Sequence, residues 1–180
     1  MGGLIPRFIR PEIQFFPTPQ ISWKGVLVAM PHALVIYAAA LDQTRIFAEK
    51  VKKRLVDLAI EVSIIPDEKL KSIKSFSPFD VIFIGATCRS CTECHGAEDC
   101  RAPRHIKKRL LKRFPLNLAG KKLVTFALCD DLAKQQCICQ SIEDFMTPTG
   151  ISPTFSISCA SDPSSYEDVI NATIQEQLFE

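Results

Sequence analysis

The chain has 180 residues, of which 47% are hydrophobic and 23% charged, a balance typical of one globular domain with a substantial core. Its formal net charge of +2 gives no strong field that would select nucleic acid or an anionic membrane. We expect a cytoplasmic protein without a membrane span or secretory signal, because no apolar run reaches roughly 18 residues and prolines interrupt the N-terminal segment.

Residues 1–24 are predicted to form an extended arm. Pro17 and Pro19 prevent a continuous helix there, and the segment carries several aromatic side chains, including Trp23. Exposed aromatic groups are unfavourable on a monomer, so the arm is expected to lie across its own domain or across a partner. Residues 25–30 are a candidate extra edge strand at the start of the following domain.

The remainder, residues 25–180, alternates apolar runs with amphipathic segments. The predicted strands are 33–40, 61–65, 80–86, 121–129 and 154–159. The predicted helices are 44–59, 66–74, 103–114, 141–146 and a last one that ends near 178. Asp42 is expected to cap the first helix, and Ser164 with Glu167 to form a capping box for the last. This alternation favours an α/β domain, with a five-stranded parallel sheet between two helical layers.

Eight cysteines distinguish the chain from ordinary enzymes of this size. In a reducing compartment, thiolates act as metal ligands or redox groups more often than as disulfides. Every cysteine is predicted to follow a strand and precede the next helix. They are Cys88, Cys91, Cys94 and Cys100 in the loop 87–103, Cys129 at the end of the next strand with Cys137 and Cys139 in the loop behind it, and Cys159 at the end of the last strand. Ligands of open parallel sheets bind beyond the carboxyl ends of the strands, so the pattern predicts a metal site at that edge.

The spacing in the loop 87–103 favours an iron–sulphur cluster. Its first three cysteines are separated by two residues each, and the fourth follows after five more. The segment resembles the C-x2-C-x2-C-x3-C-P run of bacterial ferredoxins, although here the last interval is longer and Pro103 comes three residues after the last cysteine. The candidates for the fourth ligand are Cys100, Cys129 and Cys159.

One [4Fe-4S] cluster is the expected cofactor, and a second cluster is an option for the four later cysteines. Zinc is the alternative, since the four cysteines of the loop, or three of them with His95 in place of one, can form a closed tetrahedral site. Unligated or redox-active thiols are the third option.

The segment 35–49 resembles the first strand, phosphate loop and helix of flavodoxins. The family's loop reads approximately S/T-x-T-G-x-T, and the corresponding run here is 39–44, in which Thr44 is kept. Ala39 and Leu41 replace the hydroxyl residues, and Asp42 replaces the glycine. The resemblance implies a flavodoxin-like sandwich with strand order 2-1-3-4-5. FMN is not expected, because a carboxylate at a helix N-terminus competes with phosphate.

The helix after the cysteine loop is strongly basic over residues 104–113, which suggests either a solvated face or a docking face for an acidic redox partner. Its basic residues are Arg104, Lys107, Lys108, Arg109, Lys112 and Arg113. We expect an electron-transfer protein or subunit that joins a larger redox or metalloenzyme complex through this helix and the arm. Two alternatives stay open. One is a non-catalytic flavodoxin-like subunit with a structural zinc or cluster site, and the other is an iron–sulphur scaffold or activation component of an anaerobic enzyme assembly.

Overall fold

The computed structural model describes residues 31–39, 41–88, 103–112 and 116–178. Its strands are β1 (His32–Tyr37), β2 (Glu61–Pro66), β3 (Val81–Thr87), β4 (Lys122–Leu128) and β5 (Ser152–Cys159). Its helices are α1 (Asp42–Asp57), α2 (Arg104–Leu111), α3 (Leu132–Met146) and α4 (Tyr166–Leu178). A 3-10 helix, Asp67–Ser72, follows β2, and shorter 3-10 turns, Thr147–Thr149 and Pro163–Ser165, follow α3 and precede α4.

The five strands form one parallel sheet in the order β2-β1-β3-β4-β5. This confirms the predicted fold class and strand order. The strands are nearly continuous apolar runs because helices cover both faces of the sheet. The predicted arm 1–24 and the candidate strand 25–30 lie outside the described residues.

Alternate residues of the central strands face two separate cores. Ile82 and Ile84 of β3 pack on the side covered by α2, α3 and the 3-10 helix, which we call the α2/α3 face. Phe83 points to the opposite side, the α1/α4 face, where it joins Phe47 of α1 and Ile170 of α4. Because side chains alternate between the two faces of a strand, the position of a residue along β3 determines which of the two cores it joins.

Both predicted helix caps are wrong. The structure begins α1 at Asp42 itself, after Leu41, and no side chain caps it. At the other end of the domain, Asp162 accepts a hydrogen bond from the Ser164 backbone N–H at 3.0 Å, which satisfies the turn that leads into α4. Glu167 instead lies 3.4 Å from the ammonium of Lys50 on α1. The Glu167 carboxylate, which the sequence pattern assigned to the cap of the last helix, therefore forms an ion pair with a neighbouring helix instead.

The start of α3 also differs from the prediction. The helix begins at Leu132 and not at 141, because Asp131 accepts hydrogen bonds from the backbone N–H groups of Ala133 and Lys134 at 2.9 and 3.3 Å. An aspartate at this position satisfies two of the unpaired N–H groups of the first turn. Within the described ranges, no helix combines the length and apolarity needed to cross a membrane.

Tyr166 provides a pH-dependent contribution to stability. Its ring is fully buried against Phe47, with 5.1 Å between the ring centroids, and its hydroxyl donates to the Ser161 carbonyl at 3.0 Å. Burial is the main cause that raises the pKa of Tyr166 to about 12 from a usual value of 10.0. The folded state therefore holds this proton more tightly than the unfolded state.

We expect this contribution to be complete below about pH 10 and to be lost as the pH rises towards about 12, with a slope of at most about 1.4 kcal/mol per pH unit. Urea unfolding at a series of alkaline pH values should show a steeper decline for the natural chain than for Tyr166→Phe. At neutral pH the variant should lose about 1 kcal/mol with its hydrogen bond. Parallel pH profiles for the two proteins would refute this assignment.

Candidate functional site

The strand order changes direction between β1 and β3, and ligands of open α/β sheets bind outside the carboxyl ends of the strands at such a point. Two hydroxyls meet across this position. Thr44 in the first turn of α1 is buried, and its Oγ1 lies 2.6 Å from Oγ1 of Thr87 at the end of β3. This hydrogen bond joins α1 to β3 directly below the edge.

The loop that corresponds to the flavodoxin phosphate loop already has internal partners for several of its N–H groups. Ala38 donates to the Gly85 carbonyl at 3.0 Å, and Thr44 donates to the Leu41 carbonyl at 3.2 Å. Ala39 donates to Oδ1 of Asp67 at 3.0 Å. The one hydroxyl residue of the run 39–44 is Thr44, whose Oγ1 is paired with Thr87. These hydroxyl and N–H groups therefore already have partners within the protein and are not available to an FMN phosphate.

Asp67 begins the 3-10 helix after β2 and is only 3% exposed. One carboxylate oxygen accepts from Ala39, and the other pairs with the guanidinium of Arg109 on α2. A buried carboxylate needs such partners, because an unpaired charge inside the protein is costly. The pair also ties the end of β2 to the helix that follows the cysteine loop.

Cys88 and Cys129 occupy neighbouring positions at the carboxyl edge. Thr87 pairs in register with Leu128, and the N–H of Cys88 continues this ladder by donating to the Leu128 carbonyl at 3.2 Å. The next residue on each strand is a cysteine, so the two backbones lie about 4.8 Å apart, the usual spacing of paired strands. Cys88 is half-buried against the α2/α3 face, and Cys129 is buried.

Cys159 ends β5 on the other side of the sheet. It belongs to the core of the α1/α4 face, and its Sγ lies 3.4 Å from the hydroxyl of Ser165. Burial raises the pKa of the Cys159 thiol, and the contact with Ser165 opposes this effect. Cys88 and Cys159 therefore contact opposite faces of the sheet.

The prediction that Cys137 and Cys139 lie in a loop at the edge is wrong, because both residues are inside α3. Cys139 is buried, and the hydroxyls of Thr125 and Ser156, which pair in register within β4 and β5, oppose the effect of burial on its pKa. Burial raises the pKa of Cys139. This thiol lies over the middle of the sheet, so not all eight cysteines lie at the carboxyl edge.

Cys91, Cys94, Cys100 and His95 lie outside the described residues, and the predicted triplet stays a prediction. Within the part of the chain that the structure describes, no three or more His, Cys, Asp or Glu side chains are grouped so that they could hold a metal ion. The described cysteines alone do not form a metal centre.

Gln135 is a residue at this edge that sequence reasoning missed. Its side-chain amide donates to the carbonyls of Cys129 at 2.5 Å and Cys159 at 3.1 Å, and so joins the ends of β4 and β5. Asp130 adds a second link by accepting from the Ser161 N–H at 2.8 Å. The available signal was Asp131, since a helix capped there places Gln135 one turn later, facing the strand ends.

The comparisons with known proteins identify a fold. No protein-family model matches the chain, and no curated protein matches its sequence. Among solved structures, oxidised flavodoxin 1 from Bacillus cereus is 16% identical with a TM-score of 0.58, covering 78% of this chain and 93% of its own. A flavodoxin variant from Pseudomonas aeruginosa is 12% identical with a TM-score of 0.62, covering 81% and 95%.

Fusobacterium nucleatum flavodoxin bound to flavin mononucleotide is 12% identical with a TM-score of 0.59, covering 82% of this chain and 99% of that one. At these identities the likeness is one of architecture. The chain has the flavodoxin-like fold over most of its length, and the chemistry of its site has to be argued from its own residues.

Proposed function

We propose that the chain is an electron-transfer protein or redox-complex subunit that carries a cysteine-ligated [4Fe-4S] cluster at the carboxyl edge of its sheet. The observation that carries this proposal is the position of Cys88, the first cysteine of the triplet. It stands at the end of β3, beside the point where the strand order reverses and beside Cys129 on the neighbouring strand. The two-residue spacing from Cys88 onwards supplies the other thiolates.

Both ends of the cysteine loop are anchored on the same face. Cys88 packs against the α2/α3 core at one end. At the other end Pro103 is buried and α2 follows at once, with Ile106 and Leu110 inside that core. A loop whose two ends are held by packed elements can keep several thiolates in a fixed geometry, which metal and cluster sites require.

Cys129 is the fourth ligand that this arrangement favours. It follows Leu128 on β4 as Cys88 follows its partner Thr87 on β3. Leu128 belongs to the α1/α4 core, so if the alternation of β4 continued by one residue, the Cys129 side chain would face the α2/α3 side, as Cys88 does. Cys159 belongs to the α1/α4 core, and Cys139 lies over the middle of the sheet. Cys100 is the competitor within the loop itself.

The proposed partner is an acidic surface of a larger redox protein. Exposed basic side chains from α2 and from the 3-10 helix form a surface next to the end of the cysteine loop. They are Arg104, Lys107, Lys108, Lys112, Lys69 and Lys71. Arg109 does not contribute fully, because it pairs with Asp67. Surface charges of one sign steer association with a complementary partner and make its rate depend on salt.

Metal analysis of protein purified without oxygen tests the proposal. We expect about four iron atoms and as many sulphides per chain, with a brown colour and a paramagnetic resonance signal after reduction. A colourless preparation with stoichiometric zinc and no iron would reject electron transfer and favour the structural zinc alternative. Transfer of the iron to an acceptor protein would instead favour a scaffold role.

A further inference from the structure

We infer that the carboxylate of Asp67 takes the place of a ligand's phosphate group at the loop before α1, so that this chain is closed to FMN at the position where the flavodoxin-like fold would hold it. The inference rests on described residues alone and is independent of the iron–sulphur proposal. Asp67 is thus a specificity-determining residue, which excludes phosphate-anchored ligands from this edge.

The contacts of Asp67 are those of a bound anion. One oxygen accepts from the backbone N–H of Ala39, two residues after β1, and the other pairs with the Arg109 guanidinium. Backbone N–H groups and arginine are the groups that proteins use to bind phosphate. The carboxylate is 3% exposed, so a second anion could reach Ala39 only by displacing it.

The neighbouring groups do not compensate for such a displacement. Asp42 places another negative charge in the first turn of α1, at 3.7 Å from Arg45. Thr44 Oγ1 is engaged with Thr87 Oγ1, and the Thr44 N–H with the Leu41 carbonyl. A phosphate here would have to displace the Asp67 carboxylate and existing hydrogen bonds, although helix N-termini favour anions.

Removal of Asp67 should therefore uncover an anion site. We would compare Asp67→Ala with Asp80→Ala, a matched control whose carboxylate accepts from the backbone N–H of His32 at 2.9 Å, at the amino end of β1. Thermal unfolding is measured in inorganic phosphate and in chloride of equal ionic strength. We expect phosphate to raise the Tm of Asp67→Ala by roughly 5 °C more than it raises the Tm of the natural chain and of Asp80→Ala, whose shifts report only the general salting-out effect of phosphate.

Titration of the full natural chain with FMN, followed by flavin fluorescence, gives an independent readout. No saturable quenching is expected from the natural chain. Stoichiometric FMN binding, or a phosphate response in the natural chain equal to that of Asp67→Ala, would overturn the inference. If Asp67→Ala does not fold, Asp67→Ser replaces it. The absence of a phosphate response larger than that of the natural chain in a folded Asp67 variant would likewise overturn the inference.

Discussion

Serine in place of Cys129 is expected to remove about one iron atom in four from the cluster and to change its resonance signal to that of a three-iron centre, because one iron loses its thiolate. Serine at Cys91 or Cys94 should have a similar effect, since each change also removes the thiolate of one iron. Cys139→Ser should keep the full iron content, since that thiol is buried on α3, away from the carboxyl edge of the sheet. Iron and acid-labile sulphide per chain, measured with the resonance spectrum, check all of these variants.

Cys159→Ser, together with Cys129→Ser, separates the three candidates for the fourth ligand. Its thiol belongs to the α1/α4 core beside Ser165, so the structure predicts an unchanged cluster. Loss of iron from Cys159→Ser together with a normal Cys129→Ser protein would move the fourth ligand to β5. Loss from neither would leave Cys100 as the fourth ligand, and alanine variants at the same positions would exclude weak ligation by serine.

The strands were predictable because a strand that is buried on both faces appears in the sequence as a continuous apolar run. The predicted strand 80–86 differs by one residue at each end from β3, Val81–Thr87. An apolar run that is covered by helices on both sides needs no polar alternation, and its length is set by the sheet. The strand order was predicted from the alternation of elements together with the resemblance to flavodoxins.

The start of α3 was misplaced for a chemical reason. Residues 132–140 contain two cysteines and several glutamines, and the cysteines had been interpreted as ligands in a loop. In the structure they are small side chains on a helix that Asp131 caps, with Ile138 and Ile142 facing the core. Buried cysteine behaves as a small apolar residue, and spacing alone does not distinguish that role from ligation.

The contacts of Asp67 could not be predicted from local sequence patterns. Asp67 meets Ala39 across 28 positions and Arg109 across 42 positions of the chain. Such pairs form only after the parallel strands bring separate loops to one edge. The sequence showed that the hydroxyl residues of the phosphate loop were missing, but not which group had taken their place.

Gly85→Ala is expected to destabilise the domain by about 3 kcal/mol, which corresponds to a fall in Tm of roughly 6–12 °C for a chain of this size. Gly85 is buried in β3 and pairs in register with Phe126 of β4. A Cβ at this position would overlap the ring of Phe126. The ring has little freedom to move, because it is fully buried and stacks on Phe47 with 5.1 Å between centroids.

A double-mutant cycle with Phe126→Leu tests whether the ring is the cause. The smaller, flexible leucine leaves room for the added methyl group, so Gly85→Ala should cost at least about 1 kcal/mol less in the Phe126→Leu background than in the natural one. Chemical unfolding of the four proteins gives the coupling energy. Equal costs in both backgrounds would mean that the glycine is needed for its backbone, although Gly85 is not among the described residues with positive φ. Coupling would show instead that this glycine makes room for the aromatic stack that joins β4 to α1.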